Sequence, residues 1–146
     1  MTERLHAPFK YAPDALKAIS ALEAAIKTGL ELSLIELVKM RASQINGCAY
    51  CIHMHATDAR KEGISEMRLY MLDAWRESSL YTPRERAALA WTEALTLVAK
   101  TGAPDADYDL ARKEFNDAEL VNLSFLIGTI NAWNRLAIGF RLPHPK

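Results

Sequence analysis

No window of this 146-residue chain shows a convincing period-two alternation of apolar and polar residues, and that constrains the fold most. A half-buried strand needs the alternation, because its successive side chains point to opposite faces. Helix start and stop signals occur instead along the whole chain, and no linker, low-complexity tract or obvious repeat interrupts them. The fold class read from this pattern is all-α, in a single domain over residues 1–146.

The signals divide the chain into six or seven helices. A first helix starts near Pro13-Asp14, carries Leu16, Ile19, Leu22 and Ile26 on one side, and stops at Gly29. A second runs from Ser33 to Asn46-Gly47, a good carboxyl-terminal cap. A third starts at or near Cys48 and ends at Gly63, and a fourth runs from about Ser65 through Leu69, Leu72 and Trp75. Thr82-Pro83-Arg84-Glu85 opens a fifth that continues to Thr101-Gly102: threonine caps, proline fits the first turn and glutamate reaches back. A short helix covers Tyr108 to Phe115. Asp117 caps a long last helix to about Ala137, followed by an extended tail, Arg141 to Lys146. Between Leu120 and Ile138 the last helix is apolar around most of its circumference, so it needs cover on several sides. In a chain this small a partner subunit is a natural source of that cover, and a homo-oligomer is expected.

Half the residues are apolar, a quarter are charged and the formal net charge is zero. With no basic run or stripe, nucleic acid is not an expected partner. No uninterrupted apolar stretch is long enough for a bilayer, and Met1-Thr2-Glu3-Arg4-Leu5-His6 lacks the apolar core of a signal peptide. The chain is therefore expected in the cytoplasm. There a cysteine pair rests as a dithiol, which favours catalytic or metal-binding use over a structural staple.

Both cysteines lie in one segment, Asn46-Gly47-Cys48-Ala49-Tyr50-Cys51-Ile52-His53-Met54-His55. Two thiols two residues apart can close a disulfide or hold a metal. On a helix, Cys48, Cys51, His55 and Asp58 step by three, four and three residues and form one stripe. His53 points away from it and reads as a surface histidine. Unpaired amides at a helix start lower a thiol's pKa, and a nearby imidazole can take its proton. An acidic residue could orient that imidazole: Asp58 on the same helix, or Glu36 on the preceding one. Glu36 also has a bland reading, since Ser33-Leu34-Ile35-Glu36 is a capping-box pattern with Leu32 and Leu37 as a hydrophobic staple. Asn131, Asn134 and Arg135 read as buried hydrogen-bonding groups, Trp91 and Trp133 as core, and Arg84, Glu85 and Arg86 as a solvated helix start.

The run from Glu36 to Cys51, followed by His55, resembles the core of AhpD-like alkylhydroperoxidases in the carboxymuconolactone decarboxylase superfamily. The shared pattern is a glutamate twelve residues before the first cysteine, the cysteine pair, and a histidine four residues after the second. Thr82 to Glu93 and Ile130 to Arg135 are similar to later segments of that family, so the resemblance spans Leu32 to Arg135. It implies an all-helical fold that assembles into trimers or hexamers. It also implies reduction of organic hydroperoxides by the thiol pair. By position Cys51 attacks the peroxide, Cys48 resolves the product, and His55 with Glu36 relays the proton. Tyr50 stands where some members carry histidine; its hydroxyl can donate a hydrogen bond but is no base near neutral pH. Helix-start electrostatics favour Cys48 as the thiolate, whereas His55 lies one turn from Cys51 and two from Cys48. The implied cycle needs no metal, haem or flavin as cofactor. Its reductant would be a dithiol protein, in this family one that can bear a lipoyl group.

Three other uses of the motif stay open. One is a dithiol redox sensor or disulfide carrier. Another is a lyase like the lactone decarboxylases of the superfamily. The third is a zinc site of Cys48, Cys51 and His55, completed by Glu36, Asp58 or water.

Overall fold

In a computed structural model, which describes residues 2–145, the chain is all-helical. Met1 and Lys146, which the readings of the two chain ends include, lie outside the described residues. Among the described residues there are eight α-helices and two short 3-10 turns, with no strand. In order they are α1 (Pro13–Ile26), α2 (Leu32–Asn46), α3 (Ala49–Lys61), α4 (Glu66–Tyr70), α5 (Pro83–Thr96), α6 (Val98–Thr101), α7 (Asp105–Glu114) and α8 (Asp117–Phe140). The 3-10 turns cover Pro8–Tyr11 and Met71–Ala74.

The central element is α2. Every residue from Leu34 to Met40 is buried, so this helix has no solvent face over nearly two turns. It packs against α3, α5 and α8. Leu34, Ile35 and Val38 join Ala87, Ala88 and Trp91 of α5 and Leu123 and Ile127 of α8 in one core cluster. Leu37 and Met40 point the other way, into a cluster with Leu69, Leu72, Trp75 and Leu89. Truncating a side chain such as Leu37, which is fully buried, costs about 2–5 kcal/mol in a core of this kind.

The local signals place most boundaries, and packing moves the rest. Gly47 ends α2 at φ 68, a left-handed value that glycine adopts without a Cβ clash. Thr82 and Glu85 form the expected capping box at α5. At α2 the expected box is absent. Glu31 is the cap residue, Ser33 lies inside the helix, and no side chain caps the start. The Glu31 carboxylate pairs with Arg84 instead, and Glu36 turns to another partner. At α8 the cap is Asn116, one residue before Asp117, in a full capping box with Glu119. The fifth helix breaks at Leu97, which separates α5 from the single turn of α6. The last helix runs on to Phe140.

Arg84, Glu85 and Arg86 are not merely solvated. Arg84 bridges Glu31 and Glu119, while Arg86 donates to the carbonyls of Trp75, Arg76 and Ser78. On α8, Leu120, Leu123, Ile127 and Ile130 are buried within the chain, whereas Val121, Phe125 and Ile138 are exposed. No described helix is long and apolar enough to cross a membrane.

Candidate active site

The turn after α2 builds the thiol pair. With Gly47 reversing the chain, the Cys48 amide donates back to the Ser43 carbonyl, which fixes Cys48 as the residue capping α3. Its Sγ accepts the Cys51 amide at 3.4 Å, one of the helix-start amides that lack an internal partner. Cys51 is one turn further on. The two sulfurs are 2.7 Å apart, both thiols are free, and each residue is 1% exposed. Cys51, His55 and Ala59 form the buried stripe of α3, while His53 faces outward as its spacing predicts.

Asn134 of α8 closes the thiols from the opposite side. It is fully buried, donates to Ser43 Oγ at 3.0 Å and accepts from Asn46 Nδ2 at 2.9 Å. Asn131 joins the network, accepting from Asn46 and donating to Thr96. The expected role of these asparagines as buried hydrogen-bonding groups thus holds, and the Asn134 amide beside the thiols favours the charged form of either.

The pair titrates as a unit. The Cys51 thiol hydrogen-bonds Cys48, and together with the Cys51 and Tyr50 amides and Asn134 it outweighs burial. Cys48 is held down at about 7. Cys51 is pushed up, first because its proton is shared with Cys48 and then because burial disfavours a second charge. In the resting dithiol, negative charge is therefore favoured at Cys48.

The histidine is oriented from α2. His55 Nδ1 is 2.8 Å from Glu36 Oε2, and both residues are buried. With Nδ1 bonded to a carboxylate, the other ring nitrogen is left to accept a proton. Of the two candidate orienting residues, Glu36 makes this bond. Asp58 lies nearby at the rim, where it accepts from Lys61. Among the described residues, the group whose ligand atoms converge is Glu36, His55 and Asp58; the two sulfurs do not belong to it.

Cys51 opens onto a chamber of about 270 Å³ and Cys48 does not. Its walls include His55, Tyr50, Met54, Phe9, Leu16, Trp133 and Glu23. Glu23 receives a hydrogen bond from Lys39 at 3.0 Å, an ion pair whose lysine is almost wholly buried. Trp133 is only half-buried and forms this wall, edge-on to Phe9, so it is not a plain core residue; Trp91 is core and donates to Ser124. A larger cavity, about 590 Å³ between α7 and α8, holds none of the thiol chemistry. Sequence reasoning missed Glu23, Phe9 and the role of Trp133, because nothing in their neighbours links them to residues 48–55. Asn134 carried a signal, a polar residue on an apolar helix.

A helical domain that seats a CxxC pair at a helix start beside a Glu–His pair is AhpD-like. The chain belongs to the carboxymuconolactone decarboxylase family, whose sequence profile matches residues 13–94. It is 40% identical to the uncharacterized protein YdfG of Bacillus subtilis (strain 168), over 89% of each chain. In fold it matches an Agrobacterium tumefaciens protein of unknown function, ATU0492, whose name proposes AhpD-type antioxidant defence. The TM-score is 0.94 at 46% identity, covering 99% of both chains. The AhpD-core, peroxidase-related protein of Ralstonia eutropha JMP134 shares the fold at 19% identity, with a TM-score of 0.82 over 100% of this chain and 78% of that one.

Proposed function

We propose that this chain reduces organic hydroperoxides through a dithiol/disulfide cycle. The observation that carries the reading is that Cys51 touches Cys48 on one side and opens on the other into a largely apolar chamber that also holds His55. Only Cys51 combines access with a resolving partner. Charge at rest favours Cys48, but the sulfurs are in contact, so moving the shared proton puts the thiolate on Cys51. His55, held by Glu36, manages the proton that leaves.

In the first step the Cys51 thiolate attacks the terminal peroxide oxygen and a sulfur–oxygen bond forms. The oxygen–oxygen bond breaks, its electron pair leaves on the alkoxide, and the protonated alkoxide departs as an alcohol. Cys51 is then a sulfenic acid. The Cys48 thiolate attacks that sulfur, hydroxide takes a proton and leaves as water, and a disulfide remains. A dithiol reductant protein, by family resemblance one that can bear a lipoyl group, returns two electrons and two protons. The cycle suits a reducing, cytoplasmic setting. A trimer or hexamer would cover the apolar residues left exposed on α8. A bare redox sensor or disulfide carrier would need the touching thiols but not the chamber or the Glu36–His55 pair.

The test is a free-thiol count on reduced protein after one equivalent of cumene hydroperoxide. Rapid loss of both thiols, with an intramolecular disulfide by mass, is the expected result. Cys51→Ser abolishes turnover, and Cys48→Ser stops at a trappable sulfenic acid. Thiols that survive for many minutes, or equal activity in the two variants, would overturn the scheme.

A further inference from the structure

We propose that the Cys51 chamber continues into a second, apolar chamber, and that the two together bind an uncharged aliphatic chain whose reactive end lies at Cys51. For the identity of that end the proposal rests on the peroxidase reading; for the chain it does not. The second chamber, about 330 Å³, abuts the first, and Phe9, Leu16 and Trp133 line both. The two chambers thus meet at residues of the first 3-10 turn, α1 and α8. Phe9 meets Trp133 edge-on, with ring centroids 5.6 Å apart. Beyond them the walls include Ile19, Leu136 and Phe140, and no carboxylate or cation is among them.

The charges point to the class of ligand. In the first chamber Glu23 faces in and His55 is already bonded to Glu36, and the second offers no ionic partner, so a carboxylate is disfavoured in both. A compact hydroperoxide fits within the first chamber. A linear chain passes Trp133 and buries its methylenes in the second, which makes Phe9 and Trp133 the residues that set chain length.

The first arm needs no turnover. Reduced full-length protein is alkylated with N-ethylmaleimide in the presence of n-butanol, n-hexanol, n-octanol or n-decanol, and modification of Cys51 is read by mass. The protecting concentration is expected to fall about fourfold per added methylene. The n-octanoate anion protects much less than n-octanol. Ala15→Trp and Ile19→Trp each fill the second chamber from α1, and either should cut the n-decanol advantage over n-butanol by about tenfold or more. A flat series in the wild type overturns the proposal. So does an undiminished n-decanol advantage in a folded filled variant, judged by circular dichroism. The second arm compares n-alkyl hydroperoxides with tert-butyl hydroperoxide by kcat/KM. If no hydroperoxide is turned over while the alcohol series behaves as stated, the peroxidase reading fails and the chain site stands.

Discussion

The Glu36 carboxylate on α2 and the His55 imidazole on α3 stand 2.8 Å apart, Oε2 to Nδ1, although they are 19 positions apart in sequence. Glu36 is thus taken out of helix capping and placed where a carboxylate can hold one tautomer of a buried histidine. A glutamine at this position keeps the shape and loses the charge. His55→Ala should slow oxidation of the thiols by cumene hydroperoxide about 100-fold. Glu36→Gln should slow it less, by about tenfold. Stopped-flow thiol oxidation checks both, and wild-type rates in the two variants would remove the relay.

The thiol pair should ionise in two well-separated steps. One thiolate appears with a midpoint of about 7, and the second thiol stays protonated well beyond the ordinary range. The sign for stability follows from linkage. A lowered folded value for Cys48 favours the folded dithiol increasingly as pH rises from about 7 towards the ordinary thiol value of 9.0. Above that value the raised Cys51 works in the opposite direction, because only the unfolded chain can ionise it freely. Cys51→Ala removes the largest cause of the Cys48 shift, so its alkylation midpoint should move up. Iodoacetamide rates against pH measure it, and an unmoved midpoint would show that the shift arises elsewhere.

Asn134 ties the chemistry to the fold. Replacing it with leucine removes the donor to Ser43, the acceptor for Asn46 and the amide dipole that favours a thiolate beside it. Asn134→Leu should raise the Cys48 midpoint and destabilise the protein by about 1–3 kcal/mol. Urea unfolding with an alkylation profile on the same sample separates the two effects. A stability loss without a pKa change would make Asn134 purely structural.

Glu93 contributes to stability against acid. Burial pushes its carboxyl up, but hydrogen bonds from Trp75 Nε1 and Arg76, and the charges of Arg41 and Arg76, hold it below the ordinary carboxylate value. A depressed carboxyl stabilises the fold above its unfolded pKa and loses that contribution as pH falls through its folded one. Glu93→Gln should therefore cost about 2 kcal/mol at neutral pH, because the largely buried Arg41 loses one of its two carboxylates and keeps only Asp73. The gap to wild type should close in acid. Urea midpoints at neutral and acid pH test this, and a gap independent of pH would contradict it.

What the sequence determined by itself is local. The all-α class, the Gly47 stop and the Thr82 cap each depend on residues within about one helical turn, so their signals survive in one dimension. The spacing of Cys48, Cys51 and His55 was legible for the same reason, since all three belong to one short stretch. Where a local rule competed with a tertiary partner, the partner won. Glu31 went to Arg84, Glu36 went to His55, and the capping box read at Ser33 did not form. Only packing of α1 on α8, of the first 3-10 turn on α1, and of α2 and α8 on α3 could bring Glu23, Phe9, Asn134 and Trp133 around the thiols. It also decided which sulfur faces a chamber and which is closed off. Those contacts join residues dozens of positions apart, and no periodicity records them, because burial of the whole core fixes them at once.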